Sequence, residues 1–290
     1  MKETIQQLDF NNFPPLLKEI TDPPEKLFYK GRVPNWQKYK LITFVGSRKY
    51  SSYGKQVCEK LIKGLAGTPV IVVSGLAYGI DSIAHREALK QNIKTIAFPG
   101  SGLHSSVIYP RGHTKLAKEI LDAGGALFSE FPEKQKAAAW TFPQRNRLLA
   151  GISHITVVIE AEQRSGTLIT ARLATEYNRD LFAVPHDITR PTAKGSNNLI
   201  KEGAYTLTSS EDLLNALNIK PENKNNPKTE KYLNLSGIEK QIYKLLKSEP
   251  STKDELIKNI QVEITQLNIA ISTMEIKGII KENLGKFYIL

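Results

Sequence analysis

Four stretches of this 290-residue chain place small residues, hydroxyls and arginines where an apolar run hands over to a helical pattern. In "VGSRKYSSYG" (45–54), Gly46 permits close backbone approach, the N–H groups of the turn and Ser47 can bind a phosphate, and Arg48 adds a fork-shaped cation. The competing reading is a tight turn whose arginine lies idle on the surface. In "SGLAYGIDSIAH" (74–85), Ser74 and Gly75 close a strand and Gly79 precedes a helix. Asp81 then sits in the first turn, the place of a dipole partner or cap. "PGSGLHSSVIYPRGH" (99–113) leaves Arg111 in a loop after Tyr109 and Pro110, free to meet an anion. "EAEQRSGTLITARLA" (160–174) presents Ser165, Gly166 and Thr167 at a helix N-terminus, a further anion cradle.

A fifth stretch, "WTFPQRNRLLAG" (140–151), predicts a short helix with Pro143 at its first position and Gly151 at its end. Arg145 and Arg147, on either side of Asn146, then lie near the positive end of the helix dipole, where cations are disfavoured unless an anion offsets them. Phe142 stands at the junction, able to stack on a base. The alternative makes Phe142 a core residue and pairs the arginines with Glu130 or Glu133. A row of phosphate cradles suits a polymer, and stacking beside a basic groove holds unpaired nucleic acid without sequence preference.

Other chemistries fit less well. Gly100-x-Gly102 is followed by Ser105 where a dinucleotide fingerprint requires glycine, and no Gly-Lys-Ser/Thr follows a glycine-rich turn, which excludes a P-loop. His104 and His113 have no third ligand at metal spacing. Asp81 and His85 share a helix face, but no nucleophile is placed beside them, so a structural hydrogen bond is expected. Glu160 and Glu162, two apart on a strand, point to opposite faces and cannot flank one glycosidic bond. No catalytic residue, cofactor or metal is therefore expected. The rival function is a Rossmann-type nucleotide phosphoribohydrolase using Asp81 or Glu160, for which the Pro-Gly-Gly-x-Gly-Thr loop is missing.

The elements that must position these groups follow from the apolar pattern. Runs rich in β-branched residues at 41–46, 70–75, 94–100, 126–130, 155–161 and 180–185 alternate with segments of helical period. That alternation predicts an α/β chain: an extended Rossmann-like parallel sheet between helix layers, with its ligand site at the carboxyl ends of the strands. A last strand, "AYTLTS", and a helix from about Ser210 complete a domain over 41–218, preceded by an N-terminal extension over 1–40. Polar "KPENKNNPKTEKY" reads as a linker, placed at 219–232. Residues 233–290 predict a small C-terminal winged-helix domain. Three helices, one opened by the capping box Thr252-x-x-Glu255, lead to a hairpin turning near Asn283 and Gly285.

Forty Lys and Arg against 29 Asp and Glu give a net charge of +11, which points to an anionic partner, nucleic acid first. The surplus is uneven. Residues 233–290 carry eight lysines, no arginine and seven acidic residues, a net +1, leaving +10 in residues 1–232. That balance favours a protein-contact or accessory role for the small domain over DNA reading. The single cysteine, Cys58, excludes an internal disulfide and reads as a small apolar residue on a helix face. "MKETIQQLDF" lacks a basic-then-apolar leader, and no run approaches the roughly 18 apolar residues of a membrane span, so a cytoplasmic chain is expected.

Together these segments resemble the DprA/Smf family (DNA-processing protein A). Between about Leu27 and Leu214, "VGSRKYSSYG", "SGLAYGIDSIAH", "GSGLHSSVIYP", "SEFP", "FPQRNRLLAGIS", "VVIEAEQRSGTLITARLA", "RDLFAVP" and "NNLIKEGA" occur in the family's order. The resemblance implies an extended Rossmann fold that binds single-stranded DNA as a homodimer. It also implies that the protein brings the RecA recombinase onto incoming strands in natural transformation, without catalytic turnover, and has a single-strand-binding protein as a further partner. By position, Gly46, Ser47 and Arg48 match the family's Gly-Ser-Arg motif, Arg111 its basic residue after Tyr-Pro, and Phe142 its base-stacking ring. Arg145, Asn146 and Arg147 match the run that follows, and a dimer surface falls near Asn197, Leu199, Ile200 and Thr206. There are departures. Ala139 replaces a lysine three residues before the ring, with Lys136 the nearest substitute. His186 stands where glycine is usual, and Thr206 replaces an apolar residue. Of the N-terminal helical domain, "FPPLLKEITDPPEKLFYKG" is the remnant.

Overall fold

A computed structural model describes residues 4–220, 235–260, 262–283 and 285–289. The chain divides into two compact units, Met1–Glu222 and Asn223–Leu290. Most of the linker read from the sequence lies outside the described residues. Among the described residues no helix is long and apolar enough to cross a membrane.

Each apolar run of the large unit forms a strand. β1 (Gln6–Leu8), β2 (Leu27–Gly31), β3 (Lys40–Val45), β4 (Val70–Ser74), β5 (Thr95–Ala97), β6 (Ala126–Ser129), β7 (Ile155–Val158), β8 (Asp180–Ala183) and β9 (Tyr205–Thr206) build one sheet. Its spatial order is β1-β2-β6-β5-β4-β3-β7-β8-β9. The strands from β6 through β9 are mutually parallel. β1 and β2 pair antiparallel at one edge, β2 against β6. Residues 4–40 are therefore less an extension than the outer edge of the same sheet, with α1 (Pro15–Lys18) packed toward the helix that follows β6. The strands end one to three residues before the apolar runs do, and the residues that leave the ladder form the carboxyl edge of the sheet.

The remaining helices of this unit are α2 (Ser52–Gly64), α3 (Ile80–Lys90), α4 (Thr114–Asp122), α5 (Thr141–Ile152), α6 (Gly166–Glu176), α7 (Lys194–Lys201) and α8 (Ser210–Ala216). Side chains alternate across the sheet with a period of two. On β3, Leu41 and Val45 face the layer holding Leu148, Ile152, Ala171 and Ala174, while Ile42 and Phe44 face Leu61, Ile62, Ile80 and Ala84. Burial on both faces is why these strands read as continuous apolar runs. Cys58 belongs to the second layer, where burial pushes its thiol well above the usual range.

The small unit follows the order α9 (Gly237–Ser248), β10 (Ser251–Thr252), α10 (Lys253–Ile260), α11 (Ile264–Ile276), β11 (Ile280–Asn283) and β12 (Lys286–Ile289). Its strands form an antiparallel sheet in the order β10-β12-β11. The capping box at Thr252 is formed: Glu255 N–H donates to the Thr252 hydroxyl and Thr252 N–H to the Glu255 carboxylate. Ser236 and Glu239 form a second one at α9.

His85 shows how burial is accommodated. The Thr95 hydroxyl donates to the Val72 carbonyl, so His85 Nδ1–H, 2.7 Å away, donates to Thr95. Asp81 and His85 thus have separate partners, and burial holds the imidazole pKa down to about 3. The unfolded imidazole takes a proton below about pH 6.5 while the native one stays neutral, so stability is lost as pH falls through that window toward 3. His85→Gln should flatten the pH dependence of urea unfolding by up to about 1.4 kcal/mol per pH unit over this window. An unchanged slope would refute the burial account.

Candidate nucleic-acid interface

Because β3 to β8 run parallel, their carboxyl ends share one edge. β3 pairs with β4 on one side and β7 on the other, and the chain leaves it in both directions. Such a switch point opens a crevice between the diverging loops. Here the crevice holds a cleft of about 360 Å³ lined by Gly46, Arg48, Lys49, Phe142, Arg164, Ser165 and Gly166, among others.

The first loop is shaped by what it must avoid. A Cβ at Gly46 would stand 2.6 Å from Ile80 Cγ1, so only glycine lets the turn lie under the start of α3. Ser47 N–H donates to the Glu160 carbonyl at 2.7 Å, and its hydroxyl accepts from Lys49 N–H at 3.0 Å. Both groups expected to cradle a phosphate are thereby occupied, and Ser47 sets the turn that projects Arg48 outward. The exposed Arg48 guanidinium lies 5.4 Å from the centre of the Phe142 ring, within cation–π range. Phe142 is half-buried, rests on the Gly100 backbone, where a Cβ would come 2.6 Å from the ring, and meets Tyr109 at 5.6 Å. Arg111, two residues beyond Tyr109, is exposed, and His113 anchors its turn by donating to the Leu76 carbonyl at 2.8 Å. The loops thus bring Arg48, Phe142 and the Arg111 segment together.

Arg145 and Arg147 do not await an external anion at the first turn, and for Arg147 the alternative pairing with Glu130 is the one formed. α5 begins at Thr141, so Pro143 lies inside it and both arginines sit beyond its first turn. Gly151 is internal too, allowing Ile20 and Leu17 of the α1 region to approach closely. Arg145 is buried, and its guanidinium donates to the carbonyls of Gly75 and Phe98 and, from Nε, to Asn146 Oδ1. Asp81 faces it across Gly75, accepting from Gly75 N–H at 3.1 Å and Ala77 N–H at 3.4 Å. Burial raises the Asp81 pKa against the pull of Arg145, and burial lowers that of Arg145 to about 10. Arg147 pairs with Glu130 and with Asp22, 3.1 Å away. Burial raises the Glu130 pKa, and Arg147 opposes it. The charges that answer these arginines are side chains of the same chain, and Arg145, though buried, still lines the floor of the cleft with Asn146. Asn146 also turns inward, donating to the Gly166 carbonyl at 3.3 Å.

Ser74 is likewise closed: buried, it donates to the Phe44 carbonyl at 2.7 Å, as a hydroxyl inside a sheet must. A Cβ on Gly75 would strike the Arg145 guanidinium, which makes Gly75 part of the support and not of the surface. Two helix N-termini flank Arg48. That of α2 is filled by Glu160, whose Oε2 accepts from Ser51 N–H at 2.8 Å and Ser51 Oγ at 2.9 Å. That of α6 opens on the cleft. Ser165 caps Thr167 N–H at 3.2 Å, Thr167 is buried, and Gly166 has open space in front of it. Sequence reasoning overlooked Lys49, Tyr109 and Arg164, each beside a residue it chose. Only their shared cleft or ring packing sets them apart.

The expected dimer residues separate as well. The Asn197 amide is spent on the backbone of His186, accepting from its N–H and donating to its carbonyl, both at 3.1 Å. Leu199 joins the core, whereas Ile200 is half-buried and Thr206 is exposed on β9 at the sheet edge. Ala139 and Lys136 are both exposed on the loop before α5.

Removing one member of the buried pair leaves an uncompensated charge. Arg145→Met should destabilise the large unit by about 3–5 kcal/mol in urea denaturation, and adding Asp81→Asn should recover part of the loss. Equal stabilities for all three proteins would show that the pair does not hold the edge.

Residues 4–218 match the family described as DNA recombination-mediator protein A. Protein Smf of Escherichia coli K12 is 43% identical over 209 residues, 72% of this chain and 55% of that protein. The chain thus spans about half the length of that relative. DNA processing protein DprA of Bacillus subtilis is 39% identical, with 71% of this chain and 68% of that protein covered. Among solved structures, DNA processing protein A of Streptococcus pneumoniae aligns with a TM-score of 0.67 at 37% identity over 74% of each chain. DNA processing protein A of Helicobacter pylori, solved for its unique single-stranded DNA binding mode, aligns at 0.66 and 29% identity, covering 74% of this chain and 96% of that one. With the match extending from β1 through α8, the chain belongs to the DNA recombination-mediator protein A family, the DprA/Smf group.

Proposed function

We propose that the chain binds single-stranded DNA at the carboxyl edge of the large sheet and passes the strand to a RecA-type recombinase, acting as a homodimer and without catalytic turnover. One observation carries this reading: the Arg48 guanidinium over the half-exposed Phe142 ring, at the mouth of a cleft into which the N-terminus of α6 opens. The cation and the helix end attract phosphates, and the ring offers a face to a base. Only an unpaired base can reach that ring, because bases in a duplex are stacked on one another. The single-stranded DNA binding of the Helicobacter pylori relative supports the same assignment.

The exposed edge strand β9, with Thr206 outward and Ile200 on the neighbouring helix, supports self-association there. In the small unit, Ile264, Ile269 and Ile276 of α11 are exposed, and among residues 233–290 there is no arginine. That surface suits a protein contact better than a phosphate backbone.

Oligothymidylate binding should weaken steeply with salt through release of counterions. Arg48→Ala should lower both the affinity and the salt slope, the slope by about 0.7 for each phosphate that is no longer neutralised. Phe142→Ala should weaken binding by about 1–3 kcal/mol with the slope kept. Fluorescence anisotropy at several salt concentrations separates the two, and wild-type behaviour in both variants would remove the site. In a second assay, the wild type should shorten the lag of recombinase assembly on strands coated with single-strand-binding protein, and Arg48→Ala should not.

A further inference from the structure

Exposed rings are unevenly distributed over this molecule. Of the eight exposed aromatic side chains among the described residues, Tyr50, Tyr53, Tyr78, Tyr109 and Trp140 all lie on loops or first helical turns that follow carboxyl ends of strands. Trp140 follows β6, Tyr109 follows β5, Tyr78 follows β4, and Tyr53, in the first turn of α2, reaches across to donate to the Pro185 carbonyl beyond β8 at 3.1 Å. Their exposures are 55%, 43%, 50% and 42% respectively.

Each of these four rings is braced by a second ring. Trp140 stands edge-on to Phe131 (5.6 Å, 87°), Tyr109 tilts against Phe142 (5.6 Å, 59°), Tyr78 stands edge-on to His113 (4.8 Å, 66°), and Tyr53 edge-on to His186 (5.0 Å, 75°). The imidazole braces are themselves pinned. His113 bonds to the Leu76 carbonyl and His186 Nε2 to the Ile159 carbonyl at 2.6 Å. An edge-to-face contact fixes a ring while leaving face area free, so little conformational entropy remains to be lost when something stacks there. A glycine at position 186 would leave Tyr53 without its brace.

We propose that the strand held at Arg48 and Phe142 continues along this edge over a row of braced stacking platforms, Trp140, Tyr109, Tyr78 and Tyr53, so that one chain engages a tract of several nucleotides. This rests on the single-strand binding proposed above. The exits of β6 and β8 lie five interstrand steps apart, roughly 24 Å, which is more than one nucleotide bridges. Exposed Arg48, Lys49, Arg111 and Arg164 lie along the same edge. Rings interspersed with cations match a polyanion whose bases are unpaired, and stacking accounts for the rings where a neutral protein partner would leave the cations unanswered.

The chain has two tryptophans, and Trp36 is held apart, its indole N–H donating to the Asn12 carbonyl at 3.0 Å. Trp140 is therefore a built-in reporter. In the full chain, a thymidine 20-mer should quench part of the tryptophan emission. Trp140→Phe should abolish that quench while keeping affinity within about threefold, because a phenyl ring also stacks. Tyr78→Ala and Trp140→Ala should each weaken 20-mer binding roughly five- to hundredfold with thermal melting unchanged. If Arg48→Ala abolishes binding yet the emission stays constant and both alanine variants bind like the wild type, the row is overturned and the single pocket stands. Failure of the wild type to bind the 20-mer at all would bring down the proposed function and this inference with it.

Discussion

The functional edge depends on one buried cation. Arg145 holds the carbonyls where β4 and β5 end, through Gly75 and Phe98, and faces Asp81 at the start of α3. Two buried opposite charges that face each other add little net stability over apolar substitutes, but once present neither can be spared. What it secures here is geometry. The two loops that leave β4 and β5 are fixed to one guanidinium, and the ring of Phe142 is set down from the same helix. The glycines at 75 and 100 follow from this arrangement, since the guanidinium and the ring occupy the space where their side chains would be.

Selective neutralisation then decides which charges face outward. Arg147 is absorbed by Glu130 and Asp22, and the N-terminus of α2 is absorbed by Glu160. Arg48, Lys49 and Arg164 remain exposed beside the open end of α6, and Arg111 on the loop beyond β5. Arg147 and the start of α2 are thus answered inside the chain, while four cations stay exposed along the carboxyl edge of the sheet. A field shaped in that way attracts a polyanion without reading its sequence.

The two units divide the work along chemical lines. Residues 1–232 carry nearly all the surplus charge, while residues 233–290 are near neutral, capped at two helix starts, and expose isoleucines on α11. In the large unit a further core cluster around Leu116, Ile120 and Leu127 includes Ile108, at the base of the loop that bears Tyr109 and Arg111.

Much of this was legible in the residue order. Continuous β-branched runs on β3, β4 and β7 can only belong to strands buried on both faces, so the parallel sheet and its carboxyl edge follow from sequence alone. The Gly-Ser-Arg turn, the capping boxes and the lack of any nucleotide fingerprint are equally local. Arg145 was not legible in that way, and Arg147 only through the alternative that paired it with Glu130. Their type suited an anion in solution, yet their partners come from residues 75, 81, 98 and from 22 and 130, distant in the chain and brought near only by folding. The same holds for Ser74, whose hydroxyl turned to a neighbouring strand, and for Tyr109 and Arg164, ordinary in sequence and distinctive only in place. Local pattern determines which elements form, because periodicity acts within a few residues. Whether a charge is spent inside or offered outside is decided by the tertiary structure, because burial makes an unpaired charge intolerable and sends each one to whatever partner the fold provides.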